Sequence, residues 1–219
     1  RADGQSWENG ISNYWGNILL RRCLQTKSFR TALDKAVNDE YKYMSAGRIN
    51  SMVRQYRSIV EPYVQKMPDS MHEPLTSSQY DTVADQLHSE IEQNYQTYQT
   101  GFNKPMPFYI GKPTPANGKL RLNWDVAYDF NDEDLRYAVT VSKDYAGDDV
   151  VFSQSDVVLP EAVMDMPDEG QYFIKVSVRN ASGYTQDAFD HYITDGNKIY
   201  GTKCFYVKAD GSIVEDANE

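Results

Sequence analysis

The chain has 219 residues, of which 40% are hydrophobic and 25% charged, enough apolar content for one large core or two modest ones. The formal net charge is −10, and residues 101–219 carry most of the excess acidity, with 20 acidic and 11 basic side chains. Such a surface repels nucleic-acid phosphates and anionic lipid, so neither is an expected partner. No signal peptide and no apolar run of about eighteen residues is visible, which predicts no membrane span.

The spacing of the apolar residues changes part-way along the chain. Up to about Phe102 they recur every three or four positions, as in amphipathic helices, and from about Met106 they alternate, as in strands. The sequence therefore predicts an α+β protein in two units, a helical bundle over residues 1–103 and an antiparallel β-sandwich over residues 104–219. Cys23 and Cys204 fall one in each unit, which favours neither a disulfide nor a metal cluster.

Four helices are predicted in the first unit. They cover residues 14–24, 29–41, 45–67 and 77–102, with Ser28, Ser45 and either Ser77 or Ser78 as N-caps of the last three. Pro62 is expected to kink the third helix or to mark its last turns. The apolar stripes are interpreted mainly as core packing, but a bundle with two short members is expected to bury part of its apolar surface against something outside this chain.

The second unit shows alternating strands separated by turns. Leu122 and Trp124 belong to an early strand, and Tyr172 opens a late strand of alternating apolar residues. About seven strands in roughly 100 residues, with an early buried Trp and a late Tyr, resemble an immunoglobulin-like sandwich, and residues 122–125 and 166–172 resemble fibronectin type III modules most closely. Residues 199–207 are interpreted as an added or extended last strand.

One acidic loop offers oxygen ligands for a metal. Asp129, Asn131, Asp132 and Asp134 lie within six positions, as hard ligands of calcium would. The loop lacks the central Gly and the distant Glu of an EF-hand, so a solvated acidic turn is the competing interpretation. The sequence thus offers a calcium candidate at these four residues.

Two further surface features bear on function. Four tyrosines, Tyr109, Tyr145, Tyr184 and Tyr192, could form a platform on which sugar rings stack, or simply pack between strands. A carboxylate pair such as Asp187 and Asp190 would serve hydrolysis if the two acids flanked a cleft, although turn solvation also explains them. No set of residues resembles a complete catalytic site, and no catalytic residue is assigned.

Several short stretches resemble the C-terminal region of the CotH (spore coat protein H) kinase family. They are residues 17–22 (Asn-Ile-Leu-Leu-Arg-Arg), Phe29-Arg30, Ser45, Arg48-Ile49 and residues 59–62 (Ile-Val-Glu-Pro). Residues 170–183, 186–192 and 200–207 resemble the fibronectin-like module that follows in many bacterial members. The resemblance implies an atypical protein kinase that uses ATP and Mg²⁺ on secreted or surface proteins, with its catalytic Asp residues upstream of the helices matched here.

The resemblance supports one hypothesis and leaves another open. Because no Gly-rich phosphate loop and no lysine placed after a strand is present, we expect a non-catalytic C-terminal fragment without cofactor, while ATP and Mg²⁺ would serve the parent protein. A start without Met agrees with an excised piece. The expected location is extracellular or at the bacterial cell surface, with an upstream kinase-like core or another protein as partner. The alternative is an accessory carbohydrate-binding or adhesive module of a secreted polysaccharide-processing protein.

Overall fold

A computed structural model of the chain describes residues 10–64, 66–72 and 76–215. Within these ranges helices precede antiparallel sheets, which confirms the predicted α+β class in two units. One compact unit is Leu19–Gln99, and the other combines Thr100–Glu219 with the chain up to Ile18. The sequence placed residues 1–103 together, whereas in this division the segment before Leu19 groups with the strands.

The helical unit is built from four α-helices and a short 3-10 helix. They are α2 (Ile18–Gln25), α3 (Lys27–Tyr43), α4 (Ala46–Val64), the 3-10 helix Asp69–Met71, and α5 (Ser77–Gly101), whose last two residues group with the strands. The first predicted helix is interrupted: a separate helix α1 (Ser12–Trp15) ends at Gly16, and Asn17 lies between α1 and α2. Pro62 lies in the last turn of α4, as predicted.

The helix starts differ from the predicted caps at two places. Ser28 lies inside α3, because the chain is still extended at Thr26, the residue before the helix. At α5 the cap is Thr76 rather than Ser77 or Ser78. The Thr76 amide donates to Gln79 Oε1 at 2.8 Å, and the Gln79 amide donates to Thr76 Oγ1 at 3.4 Å. This reciprocal pair is a capping box, which satisfies two amides at once and so outcompetes a lone serine.

The β unit contains two main sheets and a separate hairpin. The smaller sheet has the order β1 (Thr114–Ala116), β2 (Lys119–Asn123), β5 (Glu161–Asp165). The larger has the order β11 (Ile213–Glu215), β10 (Thr202–Val207), β6 (Gly170–Asn180), β3 (Leu135–Ser142), β4 (Val150–Val157), with β7 (Thr185–Asp187) also paired to β6. Strands β8 (His191–Thr194) and β9 (Asn197–Tyr200) form the hairpin. All these pairings are antiparallel.

One hydrophobic core lies inside the β unit and draws on both main sheets. Its largest fully buried members are Ile110, Leu120, Leu122, Val139, Val141, Ile174, Val176, Val178 and Phe205. Trp124 and Tyr172 are buried in it, as the sequence predicted. The Tyr172 hydroxyl donates to the Asp168 carbonyl at 3.1 Å, four residues upstream, in the manner of a tyrosine corner.

The last strand region is split, contrary to the single extended strand predicted over residues 199–207. Strand β7 pairs with residues 177–179 of β6, and β10 pairs with residues 170–175. Residues 189–201 leave the sheet between them and contain the β8–β9 hairpin. Its turn, Asp195-Gly196, has positive φ at both residues (49° and 76°), the geometry of a type I′ turn. Gly201, at φ 70°, returns the chain to the sheet.

We expect Gly201→Ala to destabilise the β unit more than a matched glycine substitution does. A Cβ at Gly201 would lie 3.1 Å from Asp187 Cβ, in addition to the left-handed backbone cost. Gly211→Ala is the control, since its φ is 77° but no atom lies within 4 Å of the added carbon. Urea unfolding should show losses of about 2–3 kcal/mol and about 1 kcal/mol respectively. Tryptophan fluorescence is a suitable probe because Trp15 and Trp124 lie in this unit, and equal losses would contradict the close contact.

Candidate functional site

The helical unit carries an apolar groove between α4 and α5. Its walls are formed mainly by Met52, Val53 and Tyr56 from α4 and by Val83, Ala84 and Leu87 from α5, and its volume is about 410 Å³. A second cavity of about 310 Å³ between α3 and α5 shares Met44 and Ile91 with it. We call this continuous surface the helical groove.

Few apolar side chains of the helical unit are buried. Among the described residues 19–99, the hydrophobic residues that reach full burial are Leu24 and Ile49. On α4 the same stripe that the sequence interpreted as core remains open: Tyr56, Ile59 and Tyr63 are 60%, 58% and 65% exposed. These residues follow one another at helical spacing, so they form one continuous apolar face. The core interpretation of the stripe therefore holds for Ile49 and not for Tyr56, Ile59 and Tyr63, which the described residues of the unit leave exposed.

Polar contacts fix the helices around the groove. Arg57 on α4 is paired with Asp81 on α5, and its Nε lies 3.5 Å from Glu61. Arg57 thus bridges two helices at the rim of an otherwise apolar surface. An arginine can do so because its aliphatic stem packs while its charged end stays hydrated.

Helices α3 and α5 are joined by tyrosines. The rings of Tyr41 and Tyr95 stack with centroids 3.8 Å apart, and the Tyr95 hydroxyl donates to Asn38 Oδ1 at 2.6 Å. The Tyr98 hydroxyl donates to Asp34 Oδ1 at 2.5 Å. Burial, followed by the hydrogen bond to Asp34, raises the pKa of Tyr98 well above its usual range. The hydroxyl therefore stays protonated and remains a donor to Asp34 at any physiological pH.

The acidic loop proposed for calcium uses its buried carboxylate to hold the chain. Asp129 Oδ1 accepts a hydrogen bond from the Asn131 amide at 2.8 Å, and Oδ2 accepts one from Asn180 Nδ2 at 3.0 Å. The same Asn180 nitrogen donates to the Asn103 carbonyl at 2.9 Å. Asp129 therefore ties the connection between β2 and β3 to the end of β6 and to the segment that follows α5.

The other three predicted calcium ligands lie at the surface. Asn131, Asp132 and Asp134 are exposed, and Asn131 Nδ2 donates to the Phe102 carbonyl at 3.4 Å. Among the described residues no group of three or more His, Cys, Asp or Glu side chains is placed to hold a metal ion. The calcium site stays a prediction, and the observed role of Asp129 is that of a hydrogen-bond acceptor for its own loop.

An aromatic cluster beside this loop was not predicted. Trp15 from α1 packs against Tyr128 and Phe130, with ring centroids 5.2 Å and 5.6 Å apart, and Phe102 packs against Phe130 at 5.0 Å. All four residues belong to the β unit. The sequence signal is the concentration of aromatic residues in and beside the acidic loop, which the charges of the loop obscure.

The four predicted platform tyrosines are separated into different places. Tyr145 and Tyr192 come together with centroids 6.2 Å apart and nearly parallel rings, and Tyr192 also packs on Phe173 at 4.9 Å. Tyr109 packs against Phe189 instead. The structure thus pairs Tyr145 with Tyr192, and Tyr145 remains about half exposed.

The comparisons with known proteins give one family match, in the N-terminal part of the chain. The fold defines a helical unit with an open apolar groove and an antiparallel β unit, and the described helices include none that could cross a membrane. A protein-family model described as CotH kinase protein matches residues 1–98. This match confirms the resemblance inferred from residues 17–22 and the stretches after them. No curated protein and no solved structure gives a significant match.

We expect Asp129→Ala to destabilise the β unit by about 2–4 kcal/mol, because it leaves buried donors of the loop and of Asn180 without their acceptor. Asp134→Ala, at an exposed position of the same loop, should change stability by less than about 0.5 kcal/mol. Urea unfolding should give the same Asp129→Ala loss in EDTA and in calcium. A loss that occurs only with calcium would instead show that Asp129 acts as a metal ligand.

Proposed function

We propose that this chain is the non-catalytic C-terminal portion of an extracellular bacterial CotH-type kinase-like protein. The helices complete the kinase-like lobe, and the sandwich acts as a spacer or docking module. The observation that carries the proposal is the open apolar face of α4 beside the helical groove, formed by Met52, Tyr56, Ile59 and Tyr63. This face lies within residues 1–98, the part of the chain that matches the CotH family model.

The energetics of this face favour a covering partner. Burying one large apolar side chain contributes roughly 1.5–3 kcal/mol, so covering Tyr56, Ile59 and Tyr63 would contribute several kcal/mol to an interface. Continuous apolar patches of this kind on soluble proteins usually mark interaction sites. A kinase-like core that packs against the groove explains why α4 carries apolar residues at helical spacing after the buried Ile49, of which Tyr56, Ile59 and Tyr63 stay exposed.

The fibronectin type III assignment of the β unit is part of the proposal. The order β1-β2-β5 in one sheet and β10-β6-β3 in the other corresponds to strands A-B-E and G-F-C of an immunoglobulin-like sandwich. Strand β4 pairs with β3 in the larger sheet. Together with the Tyr172–Asp168 corner, this order supports a fibronectin-like module that acts as a spacer.

The absence of phosphate-binding sequence signals supports a non-catalytic role. The chain has no GxxxxGK[ST] motif and no Gly-rich loop that would hold nucleotide phosphates. Phosphoryl transfer depends on positioned phosphates and metal ions, so ATP and Mg²⁺ would be bound by the upstream core of the parent protein.

Joining this chain to the upstream core of its parent should protect α4 and α5 from amide hydrogen exchange. The core would bury the groove, and backbone amides under a new interface open less often. Ile59→Asp should abolish that protection, since it places a charge in the apolar contact. Val163→Asp is the matched control, because Val163 is similarly exposed (55% against 58%) but lies on β5 of the other unit.

The chain by itself also tests the proposal that catalysis belongs to the upstream core. This chain alone should show no ATP-dependent labelling and no thermal shift with nucleotide at micromolar concentration. Either effect would contradict the non-catalytic role, and unchanged exchange in α4 and α5 would contradict the lobe interface.

A second candidate function is carbohydrate binding or adhesion, and the Tyr145–Tyr192 pair favours it. Aromatic side chains at a surface offer flat apolar faces against which sugar rings pack. Binding to one or more neutral glycans on an array should then be lost in Tyr145→Ala and Tyr192→Ala and retained in Tyr184→Ala, a tyrosine outside the pair. An array without any bound glycan would exclude this function for the glycans tested.

A further inference from the structure

A lysine and two carboxylates meet at one edge of the β unit. Lys203 Nζ lies 3.6 Å from Asp190 Oδ1 and 2.8 Å from Glu215 Oε1. The side chains of Asp190 and Lys203 are only 4% and 18% exposed. The three residues come from different segments, namely residues 189–201 between β7 and β10, β10 itself, and β11.

The position of Lys203 is unusual for a lysine. Lys203 is paired with Ile174 of β6 and lies two residues before Phe205, so it occupies the row of β10 that faces the core. An apolar residue is expected there, because a lysine in such a row carries a desolvation cost unless its ammonium group is paired. Glu215 lies two residues after the buried Ile213 on the next strand, so it is directed to the same side.

The backbone of Ile110 distinguishes the two oxygens of Asp190. The Ile110 amide donates to Asp190 Oδ2 at 2.7 Å, and the Ile110 carbonyl accepts a hydrogen bond from Lys203 Nζ at 2.8 Å. Asp190 Oδ1 faces Nζ at 3.6 Å, which is longer than a hydrogen bond. The amine and the carboxyl group are therefore held side by side by a shared backbone contact.

We propose that Lys203 and Asp190 form an intramolecular amide bond, with Glu215 as the catalytic base. Glu215 accepts a proton from the Lys203 ammonium group and passes it on to Asp190 Oδ1, and the freed electron pair on Nζ attacks Cγ of the neutral carboxyl group. Negative charge develops on Oδ2, where the Ile110 amide stabilises it as an oxyanion donor. The Cγ–Oδ1 bond then breaks, and Oδ1 leaves as water with two of the three ammonium protons. The third proton stays on the amide nitrogen, and no oxidant or reductant is needed.

The protein supplies what makes this condensation favourable. Charged amine and carboxylate are stable in water, but a low-dielectric site favours the neutral pair that reacts. Effective concentrations of well-oriented groups reach on the order of 10⁵–10⁸ M, which offsets the unfavourable condensation of an amine and a carboxylate in water. The bond would close the loop 190–203 and tie the β8–β9 excursion to β10, which restricts the unfolded chain.

Intact mass spectrometry of the full chain tests the proposal directly. We expect a mass lower than that of the sequence by one water molecule, and a protease digest that yields one branched peptide joining Asp190 to Lys203. Lys203→Arg keeps the charge but cannot form this bond, so its mass should equal that of its sequence. Lys175→Arg, on the neighbouring strand β6, is the matched control and should retain the loss of water.

Glu215→Gln tests the role of the base. General base catalysis contributes about 10²–10⁴-fold, so cross-linking in this variant should be slower by about that factor in a time course after purification. A wild-type chain with the full mass of its sequence would overturn the proposal, and so would a loss of water that maps to other residues. The wild-type measurement decides the matter even where a variant fails to fold, and it is independent of the proposed kinase-lobe role.

Discussion

The Asp129 carboxylate is buried, and the position of the connection between β2 and β3 depends on how its two oxygens are satisfied. Loop amides donate hydrogen bonds to one oxygen, and Asn180 donates to the other. Moving the loop would break these bonds and leave a buried carboxylate without donors, which is costly. Tyr128 and Phe130 flank this carboxylate in sequence and are therefore fixed with it. Trp15 and Phe102 pack against these two rings.

These aromatic contacts explain why the chain up to Ile18 and the last two residues of α5 group with the strands. Trp15 and Phe102 lie close to the two places at which the chain passes from one unit to the other, Ile18–Leu19 and Gln99–Thr100. At both junctions, therefore, a nearby aromatic residue is fixed by packing within the β unit. The helical unit itself is organised differently, through tyrosine hydrogen bonds and the Arg57–Asp81 pair, with an apolar face left open.

The sequence predicted the elements better than their partners. Apolar spacing gave α3, α4 and α5 and the alternation of β2 and β6 because these periods come from local geometry. It could not tell that Asp129 accepts hydrogen bonds from its own loop, since four acidic or amide residues within six positions have the same spacing whether they bind a metal or cap a turn. It also could not tell that the α4 stripe stays exposed, because burial depends on what packs against a helix rather than on its own pattern.

Other differences had local signals that stronger competing patterns obscured. Thr76 and Gln79 have the spacing of a capping box. The two serines that follow Thr76 are also good N-cap residues, and they lead to a predicted cap one or two positions too late. The Asp195-Gly196 pair is a hairpin signal, and the alternating residues around it were interpreted as part of one long strand. Lys203 was unremarkable in sequence and becomes informative only when the register places it beside Ile174.

Strand β6 pairs with β7 along one stretch and with β10 along another, and this arrangement affects where the domain can accept inserted sequence. Because β7 and β10 each pair with a different stretch of β6, the hydrogen bonds of the sheet do not depend on the length of the segment that connects β7 to β10. New sequence can enter at the Asp195-Gly196 turn and leave the sandwich intact. This edge is therefore a place where related proteins could acquire recognition loops by insertion, and where an engineer could graft a foreign epitope.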